Sequence, residues 1–505
     1  MNAVSFNHVS FRYSDAEGAL SEQVLDEVTL EVPAGQCLVL TGASGCGKTT
    51  VTRLVNGLIP HVYQGELAGE VRVFDRLTDE LGMDDLSRRV GSVFQNPRSQ
   101  FFNLDTTSEI AFGCENLGLP ANEIRSRVHD AACDLGVEHL LDRDIRALSG
   151  GQRQMVALAS VYALGPDILV LDEPTAALDV HAMRTLARTV ARCKDLGKTV
   201  IVSEHRLWWL RDMADRIVHV EGGRIAHDWT AEEFDALSVD ERHALGLRAW
   251  RLDELHAPIG PTSGTQRGAN APPAFAVEDL HVGYGRARDV LSGATAAWRA
   301  GSVTALVGSN GAGKSTLARC AAGLHRERAG SVALAGRSEP CRRRAGRVFL
   351  VMQEPGYQLL SDTVRGELEG AAVHVGRQTD VTCLPAAEAL SRFGLENLAS
   401  RHPLSLSGGE RQRTAIAVGT LQGARVVVLD EPTSGLDYGN MERVARELRR
   451  LRDEGACVLV ITHDYEFLCT ACDSIVVLDG GVVTDHYRLD DNTLDKTRRT
   501  LGFAS

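Results

Sequence analysis

Long apolar runs are missing from this sequence. Nothing in it approaches the roughly 18 consecutive apolar residues that a membrane-spanning helix requires, and residues 1–10 carry neither the basic nor the apolar region of a secretory signal. The expectation is a chain that does not cross a membrane by itself. Eleven cysteines spread over 505 residues have neither the density nor the spacing of a disulfide framework, which points to a reducing compartment. Basic residues are in the minority, 54 against 67 acidic, and a net charge of -13 opposes a sequence-independent grip on nucleic acid, so no nucleic-acid partner is expected. With 44% apolar and 24% charged residues, disorder cannot dominate, and the length calls for more than one domain.

What the chain does contain is a duplication. GASGCGKTT at 42–50 and GSNGAGKST at 308–316 each follow an apolar, strand-like run. Lys48 and Lys314 are 266 residues apart, whereas Gln95 and Gln353, Ser149 and Ser407, Asp172 and Asp430, and His205 and His463 are each separated by 258. Register therefore holds after a single eight-residue length difference, and the repeat is a whole domain. One half runs over about 1–230 and the other over about 275–505. Residues 231–256 read as helices that finish the first half, and APIGPTSGTQRGANAPPA at 257–274 as a flexible connection, so 231–274 forms an extension and linker. Within each half, β-type runs such as DILVLDEP and RVVVLDEP alternate with helical stretches such as HAMRTLARTVARCKDLG and NMERVARELRRLRDEG. That alternation predicts an α/β fold with a mostly parallel sheet flanked by helices.

The pattern G-x-x-x-x-G-K-S/T between a strand and a helix is a phosphate-binding loop, in which glycines let backbone N–H groups turn inward around an anion. Its candidate residues are Gly42, Ser44, Gly45, Gly47, Lys48, Thr49 and Thr50, and in the second half Gly308, Asn310, Gly311, Gly313, Lys314, Ser315 and Thr316. The lysines add a point charge at the phosphates, and Thr49 and Ser315 offer a hydroxyl to magnesium. The strands ILVLDEP and VVVLDEP end in paired carboxylates. Asp172 and Asp430 are placed to hold the magnesium shell, and Glu173 and Glu431 to orient or deprotonate an attacking water. LSGGQ at 148–152 and LSGGE at 406–410 each precede a helix. The pair Cys469 and Cys472 lacks a second pair or a histidine cluster and reads as packing.

With these motifs in this order, the chain resembles the ATP-binding cassette family over nearly its whole length apart from the linker and termini. The resemblance implies two cassettes, each with a sheet core and a helical subdomain, that use ATP and Mg2+. It also implies an intramolecular ATP sandwich. Ser407, Gly408, Gly409 and Glu410 would cap the nucleotide on Lys48, and Ser149, Gly150, Gly151 and Gln152 the one on Lys314. Gln95 and Gln353 match the family's loop glutamine that senses magnesium and nucleotide. His205 and His463 match the histidine that contacts the γ-phosphate. Tyr13 and Tyr284 resemble the aromatic that stacks on adenine, although either also suits plain strand packing.

Around the first loop glutamine, FQNP, Gln100 with its following aromatics, AFG and ENLGLP resemble the ATPases of energy-coupling factor transporters. That family imports vitamins, related micronutrients or transition-metal ions. The resemblance implies a transmembrane coupling protein and a substrate-binding membrane protein as partners, with the ATPase peripheral on the cytoplasmic face of the membrane. Arg98 and Ser99, and Gly356 and Tyr357, depart from the acidic residues common there. Phe101 and Phe102 match Leu359 and Leu360, and Glu109 matches Glu367. These positions are expected to receive arginine-bearing coupling helices, although either glutamate also suits a helix N-terminus. Two other readings stay open: the ATPase of another ABC importer, and a cytoplasmic ribosome-associated tandem cassette protein. The former often carries one degraded phosphate loop and the latter a long charged linker, and neither feature is present.

Overall fold

Cys37–Thr41, Ile168–Asp172 and Thr199–Ser203 are short apolar runs buried almost end to end, as strands must be when helices cover both faces of a parallel sheet. The computed structural model describes residues 1–15, 17–176, 178–258, 272–285, 288–375 and 385–503. It forms two units, Met1–Leu252 and Asp253–Leu436 with Asn440–Ser505. Most of the connection expected at 257–274 lies outside the described residues.

In the first unit a six-stranded sheet runs Arg224–Thr230, Arg216–Glu221, Cys37–Thr41, Thr199–Ser203, Ile168–Asp172, Val90–Val93. All neighbours are parallel except the outermost pair, Arg216–Glu221 with Arg224–Thr230. The second unit repeats this order with Val482–Arg488, Ser474–Asp479, Ser302–Val307, Cys457–Ile461, Val426–Asp430 and Val348–Val351, again antiparallel only at one edge. Each unit adds a four-stranded antiparallel sheet, built on Asn2–Tyr13 in the first and Phe275–Gly283 in the second. The fold is thus α/β, as expected from the alternation of runs. Helices Thr106–Asn116, Ala121–Leu135 and Gly150–Tyr162 pack on one another in the first unit, and Val364–Val375, Ala386–Arg392 and Gly408–Leu421 do so in the second. Among the described residues no helix is long and apolar enough to cross a membrane.

Residues 231–252 close the first unit. Helices Ala231–Ala236 and Val239–Ala244 both start in capping boxes, Thr230 with Glu233 and Ser238 with Glu241. Phe234 is buried edge-on against Trp250, with ring centroids 5.2 Å apart. Asp235 accepts from Arg251 Nε at 2.8 Å and from Arg211 Nε at 3.3 Å. The hydrogen bond from Arg251 pulls its carboxyl down to about 2. Asp235→Asn should therefore lower the unfolding free energy by about 1 kcal/mol in urea titrations followed by tryptophan fluorescence. Because the folded pKa is depressed, the difference from wild type should be full above the unfolded value of about 4 and shrink as pH falls toward 2.

Candidate functional site

The carboxyl ends of three adjacent parallel strands meet at one edge of each large sheet. Cys37–Thr41 leads into the phosphate loop, Ile168–Asp172 into Glu173, and Thr199–Ser203 into His205. Asp172 stands opposite Ser203 in the register, and Asp430 opposite Ile461 in the second half. This pairing brings the phosphate loop, the paired carboxylates and the histidine of each half together.

The loop glycines answer a tight steric demand. Gly42 and Gly308 have φ of 138° and 151°, and a Cβ at either would lie 2.2 Å from the Val220 carbonyl oxygen or 1.9 Å from that of Leu478. Gly45, Gly47, Gly311 and Gly313 also take positive φ. Ser44 and Asn310 lie in the same loops, outside any helix. Helices Lys48–Val55 and Lys314–Ala321 start directly on the loops, with no acidic residue in either first turn to oppose an anion. Lys48 Nζ donates to the carbonyls of Gly42 and Ala43, both at 2.9 Å, and Lys314 Nζ to those of Gly308 and Ser309 at 2.7 and 2.9 Å.

Thr49 Oγ1 lies 3.4 Å from Asp172 Oδ1, and Ser315 holds the matching place beside Asp430. Burial pushes both aspartates up, helped at Asp172 by the Glu173 charge. Hydroxyl and carboxylate beside an anion cradle are the donor set a hard divalent cation takes. Glu173 accepts from Gln95 Nε2 at 2.6 Å, and His205 Nε2 stands 3.3 Å from its other oxygen. Burial alone would raise Glu173, but its contact with His205 and the charges of His205 and Lys48 hold it below the ordinary glutamate value. In the second half His463 Nε2 is 3.7 Å from Glu431. Gln353 and Glu431 share the wall of an open pocket with Tyr357, Arg411 and Gln412.

Tyr13 and Tyr284 reach the start of the phosphate-loop helices, their hydroxyls 3.0 Å from Thr50 Oγ1 and 3.3 Å from Thr316 Oγ1. Arg53 donates to Tyr13 and covers the Tyr63 ring at 4.1 Å, whereas Tyr284 packs on His325. Ser149 and Ser407 cap helices Gly150–Tyr162 and Gly408–Leu421. Gln152 and Glu410 complete those capping boxes, accepting from the N–H groups of Ser149 at 2.9 Å and Ser407 at 2.8 Å. The Glu410 carboxylate is therefore engaged on its own helix.

Three features were not anticipated from the sequence. Glu173 and Glu431 both adopt left-handed backbone, with φ of 45° and 50°. Thr175 Oγ1 donates to a buried Glu204, a residue outside the expected motifs. Glu109, only 2% exposed, accepts from the N–H groups of Phe102 and Asn103 at 3.0 and 2.7 Å, so its carboxylate holds a loop. Glu109 lies in the first turn of helix Thr106–Asn116, as a carboxylate favoured at a helix N-terminus would, and it holds the preceding loop as well. Glu367 does the same for the N–H of Ser361.

The family model described as ABC transporter matches residues 25–176 and 291–434, one copy in each half. The chain belongs to the ABC transporter family. A protein of Treponema denticola named as an ABC transporter ATP-binding protein is 42% identical over 95% of this chain and 96% of its own length. The Bacillus subtilis protein YkoD, named as an HMP/thiamine import ATP-binding protein, is 32% identical over 95% of this chain and 91% of its own. The structure of ribosome-bound archaeal Pelota and ABCE1 aligns with a TM-score of 0.66 over 97% of this chain and 80% of that one; at 21% identity this likeness concerns the fold alone. As an ABC ATPase with two cassettes, the protein binds and hydrolyses ATP. Gly42→Ala with Gly308→Ala should abolish nucleotide binding in fluorescent-ATP titrations while leaving far-ultraviolet circular dichroism close to wild type.

Proposed function

We propose that this ATPase powers import of a vitamin, a related micronutrient or a transition-metal ion through a transporter of the energy-coupling factor type. The observation that carries the reading is an exposed apolar site directly beyond the loop glutamines. Phe102 is 73% exposed and stacks on Phe112, and Leu360 is 87% exposed beside a groove lined by Phe349, Leu359, Ala371, Ala415 and Val418. Phe101 is half-buried and Leu359 buried, so one residue of each pair anchors the loop and the other is presented. An apolar pair on the segment that carries the nucleotide-sensing glutamine suits a membrane partner that must receive motion. The import role in YkoD's name and the FQNP and ENLGLP elements favour the same reading.

In this function the protein sits on the cytoplasmic face of the membrane beneath a coupling protein, with substrate choice left to a separate membrane protein. ATP rests on Lys48 and Lys314, with adenine against Tyr13 and Tyr284. The serines and glycines at Ser149–Gly151 and Ser407–Gly409 cap the nucleotide held by the other half. Magnesium, when bound, would be held by Thr49, Asp172 and Gln95, and by Ser315, Asp430 and Gln353, and would neutralise phosphate charge. Glu173 and Glu431 take the attacking water, with His205 and His463 at the γ-phosphate.

Glu173→Gln with Glu431→Gln should cut ATP turnover roughly 10²–10⁴-fold in a phosphate-release assay, while ATP binding persists. Phe102→Ser with Leu360→Ser should leave the ATPase of the isolated chain intact and abolish co-purification with a polytopic membrane protein. Variants that still assemble and sustain uptake, or a wild-type chain that sediments with ribosomes, would contradict the transport assignment.

A further inference from the structure

The switch histidines stand in different local sequences in the two halves. Half one reads Ser203-Glu204-His205-Arg206, and half two reads Thr462-His463-Asp464. By the repeat spacing Glu204 aligns with Thr462 and Asp464 with Arg206, so the carboxylate precedes the histidine in one half and follows it in the other. In space the two acids do the same thing. Thr175 Oγ1 donates to Glu204 Oε2 at 2.5 Å, and Thr433 Oγ1 donates to Asp464 Oδ2 at 2.9 Å. Both threonines are fully buried and lie two residues beyond Glu173 and Glu431.

The remaining oxygen holds the histidine loop in half one and caps the helix Tyr465–Ala471 after the histidine in half two. Glu204 Oε1 accepts from the N–H groups of His205 at 2.7 Å and Arg206 at 3.1 Å. Asp464 Oδ1 accepts from Phe467 N–H at 3.3 Å, and its own N–H donates to Thr462 Oγ1 at 3.1 Å. A carboxylate that is 97% buried needs such partners, and it fixes what it binds because it has no water to exchange with.

We infer that Glu204 is a positioning residue for hydrolysis in half one. Its carboxylate ties the segment after Glu173 to the backbone of His205, and so sets the approach of the imidazole to the Glu173 carboxylate. In half two Asp464 ties the segment after Glu431 to the helix that starts two residues after His463. The inference rests on the proposed roles of Glu173 and His205. It goes beyond them by naming the group that fixes their separation. Nothing in it requires Glu204 to touch nucleotide, so it acts on the rate of the chemical step and leaves ATP affinity alone.

The test uses the full-length chain in steady-state ATPase assays with parallel nucleotide titrations. Glu204→Ala should lower kcat at least 10-fold with KM and ATP affinity within 2-fold of wild type, and Thr175→Val, which preserves shape, should lower kcat 3- to 10-fold. The double variant should be no slower than Glu204→Ala alone, because both changes open one clasp. Glu204→Gln, which can accept from both N–H groups and donate to the threonine hydroxyl, should stay within 3-fold of wild type. Should Glu204→Ala fail to fold, Thr175→Val and Glu204→Gln carry the test. An unchanged kcat, a loss confined to KM, additive losses in the double variant, or a glutamine variant as slow as alanine would each overturn the inference. Full turnover in Glu173→Gln with Glu431→Gln would instead remove the catalytic reading beneath it.

Discussion

In-register pairing of three parallel strands is the constraint on which each half depends. Strand Cys37–Thr41 ends at the phosphate loop, and its neighbours Thr199–Ser203 and Ile168–Asp172 end at the histidine and the two carboxylates. Because side chains on a strand alternate between faces, a slip of one residue would turn Asp172 away from Thr49 and carry Glu173 off His205. Runs that are apolar on both faces look alike after such a slip, so the register is held by the polar residues at their ends, Asp172 paired with Ser203, and by the packing of individual side chains. Core packing and catalytic geometry are one requirement at this edge.

The same edge stores strain. Glu173 and Glu431 occupy a backbone region that non-glycine residues seldom take, and each is pinned there by an N–H bond to the neighbouring strand, Glu173 to Ser203 and Glu431 to Ile461. A glycine would relax the backbone and delete the carboxylate. Keeping glutamate at such a conformation in both halves places a carboxylate where a regular strand would not point it, and in half one Gln95 and His205 then meet its two oxygens.

Much of this was legible in the sequence because the chemistry is local. A backbone that must approach the Val220 and Leu478 carbonyls admits only glycine, so the phosphate loops announce themselves. Apolar runs that end in Asp-Glu mark strand termini without reference to anything distant. What stayed hidden depends on partners far apart in the chain. Glu204 lies 29 residues from Thr175, and its carboxylate is displaced by two positions from that of Asp464, which breaks the repeat register used to find every other pair. Glu109 matched Glu367 in register, but the N–H groups that donate to it, six and seven residues back in an irregular loop, have no periodic signature. The left-handed glutamates carry no compositional mark either, since sequence shows an acid where geometry alone would favour glycine.

The lysines of the phosphate loops fold back onto the carbonyls of their own loops, Lys48 on Gly42 and Ala43 and Lys314 on Gly308 and Ser309. Each ammonium is thereby held in one direction by two carbonyl dipoles of the loop that would receive the phosphates. A side chain fixed in this way has little rotamer freedom left to lose when an anion binds, so the loop's own backbone lowers the cost of using so flexible a residue as lysine.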